Sequence, residues 1–167
     1  MNNRDIIKKK LSILVRLRAY LLFSNEVAIT SGIIGKPAQA LSMADGQNLA
    51  AFRMRYSEYQ EQLGKLLQSI AREEDIDIKG ASSVAAFAEK FSFIENESDW
   101  QHFREIRNGI NHDYEEEYVA EMTVAMRDSV KNMTKMLEPI LLFCLKTYGI
   151  KITDKSENSV SASKSRT

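Results

Sequence analysis

Cysteine and histidine are both scarce in this chain. Cys144 is the single cysteine among 167 residues, so no disulfide can form within the chain. The two histidines, His102 and His112, do not combine with it into the ligand spacing of a zinc site. Disulfide scaffolds and zinc modules are therefore excluded, and we expect no metal and no other cofactor.

The chain also lacks net charge, because 23 basic residues balance 23 acidic ones. Bulk charge therefore gives no reason to expect a general binder of polyanions. The charges are unevenly distributed, however. Residues 1–24 contain six basic side chains against Asp5, and residues 113–121 contain five acidic side chains and no basic one. A local basic surface is compatible with this distribution.

Long apolar runs are missing as well. Residues 140–145 form an apolar run that is too short to span a bilayer. Near the N-terminus, Arg16 and Arg18 interrupt the apolar residues, and no small-residue cleavage site follows as in a signal peptide. We therefore expect a cytoplasmic protein that does not contact a membrane.

Alternating strand patterns are absent, whereas helical periodicity is widespread. Residues 3–25 are predicted to form a first helix, capped by Asn2 with Asp5 at its third position. Residues 30–41 are predicted to be a loop, and Ser42 with Asp45 opens a second helix. That helix carries a heptad-like stripe, which indicates either the core of one chain or a coiled-coil dimer seam: Leu49, Phe52, Tyr56, Tyr59, Leu63, Leu66 and Ile70.

Three further helices complete the prediction. A short one covers residues 83–94, another starts at a capping box on Ser98, and the last starts at Asp113. Pro139 should kink the last helix or interrupt its hydrogen bonding. The fold class is thus an all-α antiparallel helical bundle of about five helices over residues 1–153. Residues 154–167 are rich in serine and lysine and are expected to be disordered.

Residues 100–114 concentrate the side chains that carry chemistry. Within them lies the pattern Arg107-Asn108-x-x-x-His112-x-Tyr114. It resembles the R-x4-H-x-Y signature of the HEPN ribonuclease toxins (HepT-like), which pair with minimal nucleotidyltransferase antitoxins. The resemblance covers this stretch and its helical setting, and residues 1–97 show no comparable likeness to a known family.

The spacing within this motif has a geometric consequence. Positions five apart on a continuous α-helix point about 140° away from each other, so one phosphate could not easily contact both Arg107 and His112. Gly109 lies between them, and Asp113 is a capping residue. We therefore predict a helix break between Gly109 and Asp113, with Arg107 ending one helix and His112 at the start of the next.

The two residues suit metal-independent RNA cleavage. Histidine transfers protons near neutral pH, and arginine donates two hydrogen bonds to a phosphoryl group. Cleavage at the RNA 2′-hydroxyl needs both an acid and a base, whereas one chain offers one motif histidine. A twofold homodimer that brings two copies of Arg107 and His112 together would supply both. Arg104 could contact an adjacent phosphate, and Asn108 could hold the break or orient His112.

The resemblance implies a fuller picture. It implies an endoribonuclease toxin of a type VII-like toxin–antitoxin system, with a composite Arg/His site in the cleft of a homodimer. It also implies that Tyr114 receives AMP from the nucleotidyltransferase antitoxin (AMPylation), which would place negative charge where the RNA phosphate must bind.

Other interpretations remain open from the residues alone. Arg107 could form a salt bridge with Glu105, Asp113 or Glu116, and His112 could cap a helix. His102 is assigned to structure or surface, and Trp100 and Phe103 to the core rather than to base stacking. At the level of function, the alternatives are a non-catalytic helical adaptor of a nucleotidyltransferase and a plain oligomeric scaffold.

Overall fold

All regular secondary structure in the described part of the chain is helical. The computed structural model describes residues 1–112 and 118–153, and of His112 it describes the backbone alone. A short 3-10 helix at Ala38–Ala40 accompanies six α-helices: α1 Asn3–Thr30, α2 Met43–Glu73, α3 Ala81–Lys90, α4 Glu97–His112, α5 Val119–Lys135 and α6 Leu137–Tyr148. The predicted all-α fold class is confirmed, while the tail predicted at residues 154–167 lies outside the described residues.

Local sequence signals explain how α1 and α2 begin. Asn2 Oδ1 accepts a hydrogen bond from the Asp5 amide at 2.9 Å, and the Asp5 carboxylate accepts one from the Asn2 amide at 3.2 Å. Ser42 Oγ accepts from the Asp45 amide at 3.1 Å. Both predicted caps are confirmed. Each cap satisfies backbone donors that the first turn of a helix leaves without an intrahelical partner.

The end of α1 lies five residues beyond its predicted end. Ser24 and Ala28 are buried, so the last turns of α1 are packed against the rest of the chain. Gly32 then adopts a φ of 73°, and the amide of Ile33 bonds to the carbonyl of Ala28. This is the Schellman arrangement that closes many helices, and it leads into the predicted loop.

Four long helical segments form an antiparallel bundle: α1, α2, α4, and α5 together with α6. Lys10 bonds to Ser69, and Arg55 stacks on Tyr20, so α1 and α2 run in opposite directions. The pairs Gly64–Trp100 and Arg53–Ile110 show the same relation between α2 and α4. The last segment, α5 followed by α6, is antiparallel to α1, because Arg18 pairs with Glu138 and Arg4 lies over the Tyr148 ring.

The apolar stripe of α2 is buried within this one chain. All seven of its residues, from Leu49 to Ile70, have exposed fractions between 0 and 6%. The interpretation as an intramolecular core is therefore confirmed, and the alternative of a coiled-coil dimer seam is wrong for this face. On α1, Leu11, Leu14 and Leu21 are fully buried, but Tyr20 and Phe23 remain 43% and 72% exposed.

The predicted last helix is divided in two. Its regular α-helical hydrogen bonding stops at Met136, between α5 and α6, three residues before Pro139. Proline has no amide hydrogen, so it cannot donate to the carbonyl four residues earlier. The predicted interruption is confirmed, and it accounts for six helices rather than about five. No helix among the described residues is long and apolar enough to cross a membrane.

Candidate functional site

The motif residues described here lie on one helix. The helix α4 runs from Glu97 through Gly109 to His112 without interruption. The predicted break is therefore absent from Gly109 to His112, and its far limit, Asp113, lies outside the described residues. Arg107 lies within α4, and His112 is the last described residue of the same helix rather than the start of the next. Asp113, Tyr114 and Glu116 lie outside the described residues.

Packing explains why Gly109 does not end the helix. One glycine in a helix interior costs roughly 1 kcal/mol relative to alanine, which tertiary contacts readily offset. Its neighbours Ile106 and Ile110 are 8% and 6% exposed and belong to the core. In addition, Arg53 Nη2 donates to the Ile110 carbonyl oxygen at 3.5 Å, which places a cation at the negative end of α4.

A continuous helix separates the two motif positions. Positions 107 and 112 lie about 140° apart around the axis and about 7.5 Å apart along it. Within one chain these two backbone positions therefore lie on different sides of the α4 axis. A site that uses both on one phosphate requires a second copy of the chain, or a different course of the backbone near His112.

Arg107 is held at the boundary between the core and the surface. Its Nε atom is buried and has no hydrogen-bond partner. It forms no salt bridge with Glu105, the one described residue among the three proposed partners. Arg107 also lies close enough to Glu61 of α2 to affect its carboxyl group. The pKa of Glu61 is lowered mainly by its hydrogen bond to Lys65 and to a smaller extent by the positive charge of Arg107. Arg107 thus has no ion-pair partner among the described residues.

The two predicted supporting residues have different surroundings. Arg104, one turn before Arg107, is half-buried and has neither a hydrogen bond nor an ion pair to a described residue. Asn108 is exposed and also has no such bond. No break lies at Gly109, but Asp113 lies outside the described residues, so the role of Asn108 in holding a break stays a prediction. Its role in orienting His112 likewise stays a prediction.

Another arginine joins this region from α2. Arg53 and Arg55 lie two positions apart on α2. Arg53 contacts α4 through Ile110, whereas Arg55 turns to the other side, where it pairs with Glu58 at 3.3 Å and lies over the Tyr20 ring. Two guanidinium groups therefore lie on the α2–α4 side of the bundle, those of Arg53 and Arg107.

The basic N-terminal segment is less available than its sequence suggests. Arg4 is paired with Glu73, and Arg18 with Glu138. Lys10 donates to Ser69 Oγ at 2.9 Å. Lys8, Lys9 and Arg16 remain exposed. About half of the predicted local basic surface is thus committed to contacts between helices.

Sequence reasoning missed a polar row on α2 that faces α4. Ser57 Oγ and Gln60 Oε1 are buried atoms without a hydrogen-bond partner. They share this state with Trp100 Nε1 and Arg107 Nε on the facing helix. The signal in the sequence is the spacing of Ser57, Gln60 and Gly64 by three and four residues, which places them on one side of α2 next to the apolar stripe.

The remaining residues of the stretch behave as predicted. Trp100 and Phe103 are each 2% exposed and belong to the core. His102 is exposed, and it lines a shallow groove between α4 and α5 together with Glu121 and Asp128. No group of three or more candidate metal ligands occurs among the residues that the structure describes.

Comparison with known proteins adds no further identification. No protein-family model, curated protein or solved structure matches this chain. The resemblance to the HEPN ribonuclease toxins therefore depends on the motif and on its helical setting.

Proposed function

We propose that this protein is a metal-independent endoribonuclease toxin that acts as a homodimer in the cytoplasm. The observation that carries the proposal is Arg107, a guanidinium in the R-x4-H-x-Y pattern that has no partner among the described residues and one buried nitrogen. Charged groups held at such a boundary are usually neutralised by a partner. A phosphate group is a partner that fits the planar guanidinium.

The reaction needs only groups that the two chains and the RNA supply. His112 of one protomer removes the proton of a 2′-hydroxyl, and the 2′-oxygen attacks the adjacent phosphorus. The bond from phosphorus to the 5′-oxygen then breaks, and the second copy of His112 protonates that oxygen. Arg107 stabilises the negative charge on the phosphorane oxygens. The products carry a 2′,3′-cyclic phosphate and a 5′-hydroxyl.

The surface at the same level of the bundle supports the homodimer. Phe23 and Met54 are 72% and 55% exposed, and Tyr20 is 43% exposed beneath Arg55. Arg53, next to Met54, contacts the last described turn of α4. The exposed apolar side chains therefore lie at the same level along the bundle as the last described turn of α4, and a twofold contact formed at this end would bring the two copies of that turn into the same region of the dimer.

Regulation by a partner enzyme completes this proposal. A minimal nucleotidyltransferase antitoxin transfers AMP from ATP to the Tyr114 hydroxyl with release of pyrophosphate, and the added phosphate repels RNA and competes for Arg107. The second candidate function is a non-catalytic adaptor that binds such a nucleotidyltransferase. The exposed apolar surface on α1 and α2 would serve that function as well. An adaptor, however, would have no use for Arg107, which has no partner among the described residues.

Catalysis is tested with purified protein and RNA in EDTA. Arg107→Ala and His112→Ala should each abolish cleavage while the thermal melting temperature stays close to that of the wild type. Arg107→Lys, which keeps the charge but not the planar fork, should retain only a small part of the activity. Arg127→Ala is the matched control, because Arg127 lies outside the motif on α5, where it pairs with Asp128.

Mixed dimers separate a composite site from two independent ones. A heterodimer with one His112→Ala protomer should be inactive if one histidine acts as base and the other as acid. Half of the wild-type activity in that heterodimer would show that each chain carries a complete site. Folded, purified wild-type protein that binds a nucleotidyltransferase but cleaves no RNA would favour the adaptor.

A further inference from the structure

The interface between α2 and α4 contains a polar section between two contacts. At one end, the Trp100 ring lies 3.4 Å from the position that a Cβ atom on Gly64 would occupy. At the other end, Arg53 reaches the Ile110 carbonyl oxygen. Ser57 and Gln60 lie between these contacts on α2, and Arg107 lies between them on α4. The two helices are therefore in close contact at the Gly64–Trp100 end, and polar side chains follow between that contact and Arg53.

Four buried polar atoms in this section lack hydrogen-bond partners. The two on α2, Ser57 Oγ and Gln60 Oε1, can accept hydrogen bonds. The two on α4, Trp100 Nε1 and Arg107 Nε, can only donate. Buried polar groups are nearly always bonded, and here the acceptors and donors complement each other across the interface.

We propose that Gln60 is a positioning residue for Arg107, whose Nε–H it receives through one bridging water. The two side chains do not bond directly, and a buried water needs two to four polar partners, of which Gln60 Oε1 and Arg107 Nε supply two. Gln60 suits the task because it is 2% exposed and lies within a rigid helix. Ser57 is a second acceptor in the same row.

This contact has a consequence for the guanidinium. A guanidinium is planar, so a bond to Nε fixes the orientation of its two terminal nitrogens as well. Unlike Nε, the two terminal nitrogens are not buried atoms that lack a hydrogen-bond partner. Gln60 therefore holds the inner edge of the group and leaves the outer edge for a ligand. The contact between Gln60 and Arg107 does not depend on whether the protein cleaves RNA.

The test measures hydrogen exchange at arginine Nε–H by NMR on the 15N-labelled full chain. The Arg107 signal is assigned by its loss in Arg107→Lys, and Arg104, on the same helix, serves as an internal reference. In the wild type, Arg107 Nε–H should exchange about fivefold to tenfold more slowly than Arg104 Nε–H, the factor expected for one hydrogen bond. In Gln60→Leu, the rate should rise to that of Arg104.

Two further variants keep the result decisive. Gln60→Asn retains the amide but withdraws its oxygen by one methylene, so it covers the case in which Gln60→Leu does not fold, and it should also accelerate the exchange. Gln68→Leu, at an exposed position of α2, should leave the exchange unchanged. If Arg107 Nε–H exchanges at the wild-type rate in a folded Gln60 variant, the proposal is overturned. Faster exchange of the Trp100 indole alone would likewise overturn it and assign Gln60 to Trp100.

Discussion

Tyr56 donates its phenolic hydrogen bond to Ser129 Oγ across 2.7 Å, whereas Tyr59, one turn further along α2, has a buried hydroxyl with no partner. Ser129 in turn donates to the Met126 carbonyl, which leaves its oxygen free to accept from Tyr56. Burial raises the pKa of both phenols, so both remain neutral at physiological pH. Two similar side chains in one stripe thus differ in a single hydrogen bond.

The first prediction compares the removal of these two hydroxyls. Tyr56→Phe should lower the free energy of unfolding by about 1 kcal/mol, because it removes a hydrogen bond and leaves Ser129 without that donor. Tyr59→Phe should be neutral or stabilising, because it removes a buried polar group that is unpaired. Urea denaturation followed by circular dichroism measures both. Equal destabilisation by the two variants would contradict the assigned bonding.

A second prediction concerns Cys144, the single thiol. It is fully buried on α6, and burial together with the nearby charge of Glu74 raises its pKa to about 12. Since the thiolate is the reactive form, the native protein should react with a thiol reagent at a small fraction of the rate of the protein in denaturant. Reaction of the native protein at the rate of a free thiol would place Cys144 outside the core.

The third prediction tests how α2 supports the end of α4. Arg53→Met should accelerate amide hydrogen exchange in the last described turn of α4, because the contact with the Ile110 carbonyl is lost. The interaction of a cation with a helix C-terminus contributes about 0.3–1 kcal/mol. Arg55→Met is the matched control, since Arg55 pairs with Glu58 and stacks on Tyr20 instead. Similar exchange in both variants would show that Arg53 does not stabilise this turn.

The fourth prediction concerns modification of Tyr114, a residue outside the described part of the chain. Co-expression with a nucleotidyltransferase partner should add units of about 329 Da, the mass of an AMP adduct, at this tyrosine. Cleavage of RNA should decrease in proportion to the modified fraction. Tyr114→Phe should still cleave RNA and escape chemical silencing. An unmodified intact mass in cells where the partner neutralises the toxin would instead indicate inhibition by complex formation.

The fifth prediction concerns the exposed apolar side chains of α1. Phe23→Asp should convert the proposed homodimer into a folded monomer, because it places a charge in the contact. Leu142→Asp on α6 is a control of comparable exposure, at 51%. Light scattering at micromolar concentration measures the mass of each. A wild-type monomer would contradict the composite site, and a Phe23→Asp dimer would place the contact elsewhere.

Sequence reasoning succeeded where the determinants are local. The caps at Asn2 and Ser42 were predicted because each depends on a residue three positions away. The start of α4 was predicted wrongly at Ser98. The helix begins at Glu97, whose amide donates to Glu89 Oε2 at 2.7 Å, so a side chain from α3 caps α4. A cap supplied by another helix leaves no pattern in the local sequence.

The same limit applies to the candidate site. The motif identified Arg107 and His112, but the continuity of α4 depends on the burial of Ile106 and Ile110 and on Arg53 from another helix. Gln60 was missed because a glutamine inside a helix has a neutral propensity and no motif of its own. Its burial and its orientation toward α4 become evident only once the two helices are packed together.

The contact between Trp100 and Gly64 positions the start of α4, and because the helix is continuous it also affects where the far end lies. Twelve residues separate Trp100 from His112, which corresponds to about 18 Å along the axis. Because no break intervenes, a tilt of about 5° at Trp100 would move the far end by about 1.6 Å, a displacement on the scale that costs catalytic groups much of their effect. A methyl group at position 64 would contact the indole at 3.4 Å, an ordinary van der Waals distance. The position of the far end of α4 therefore depends on a packing contact about 18 Å away, at a residue without a side chain.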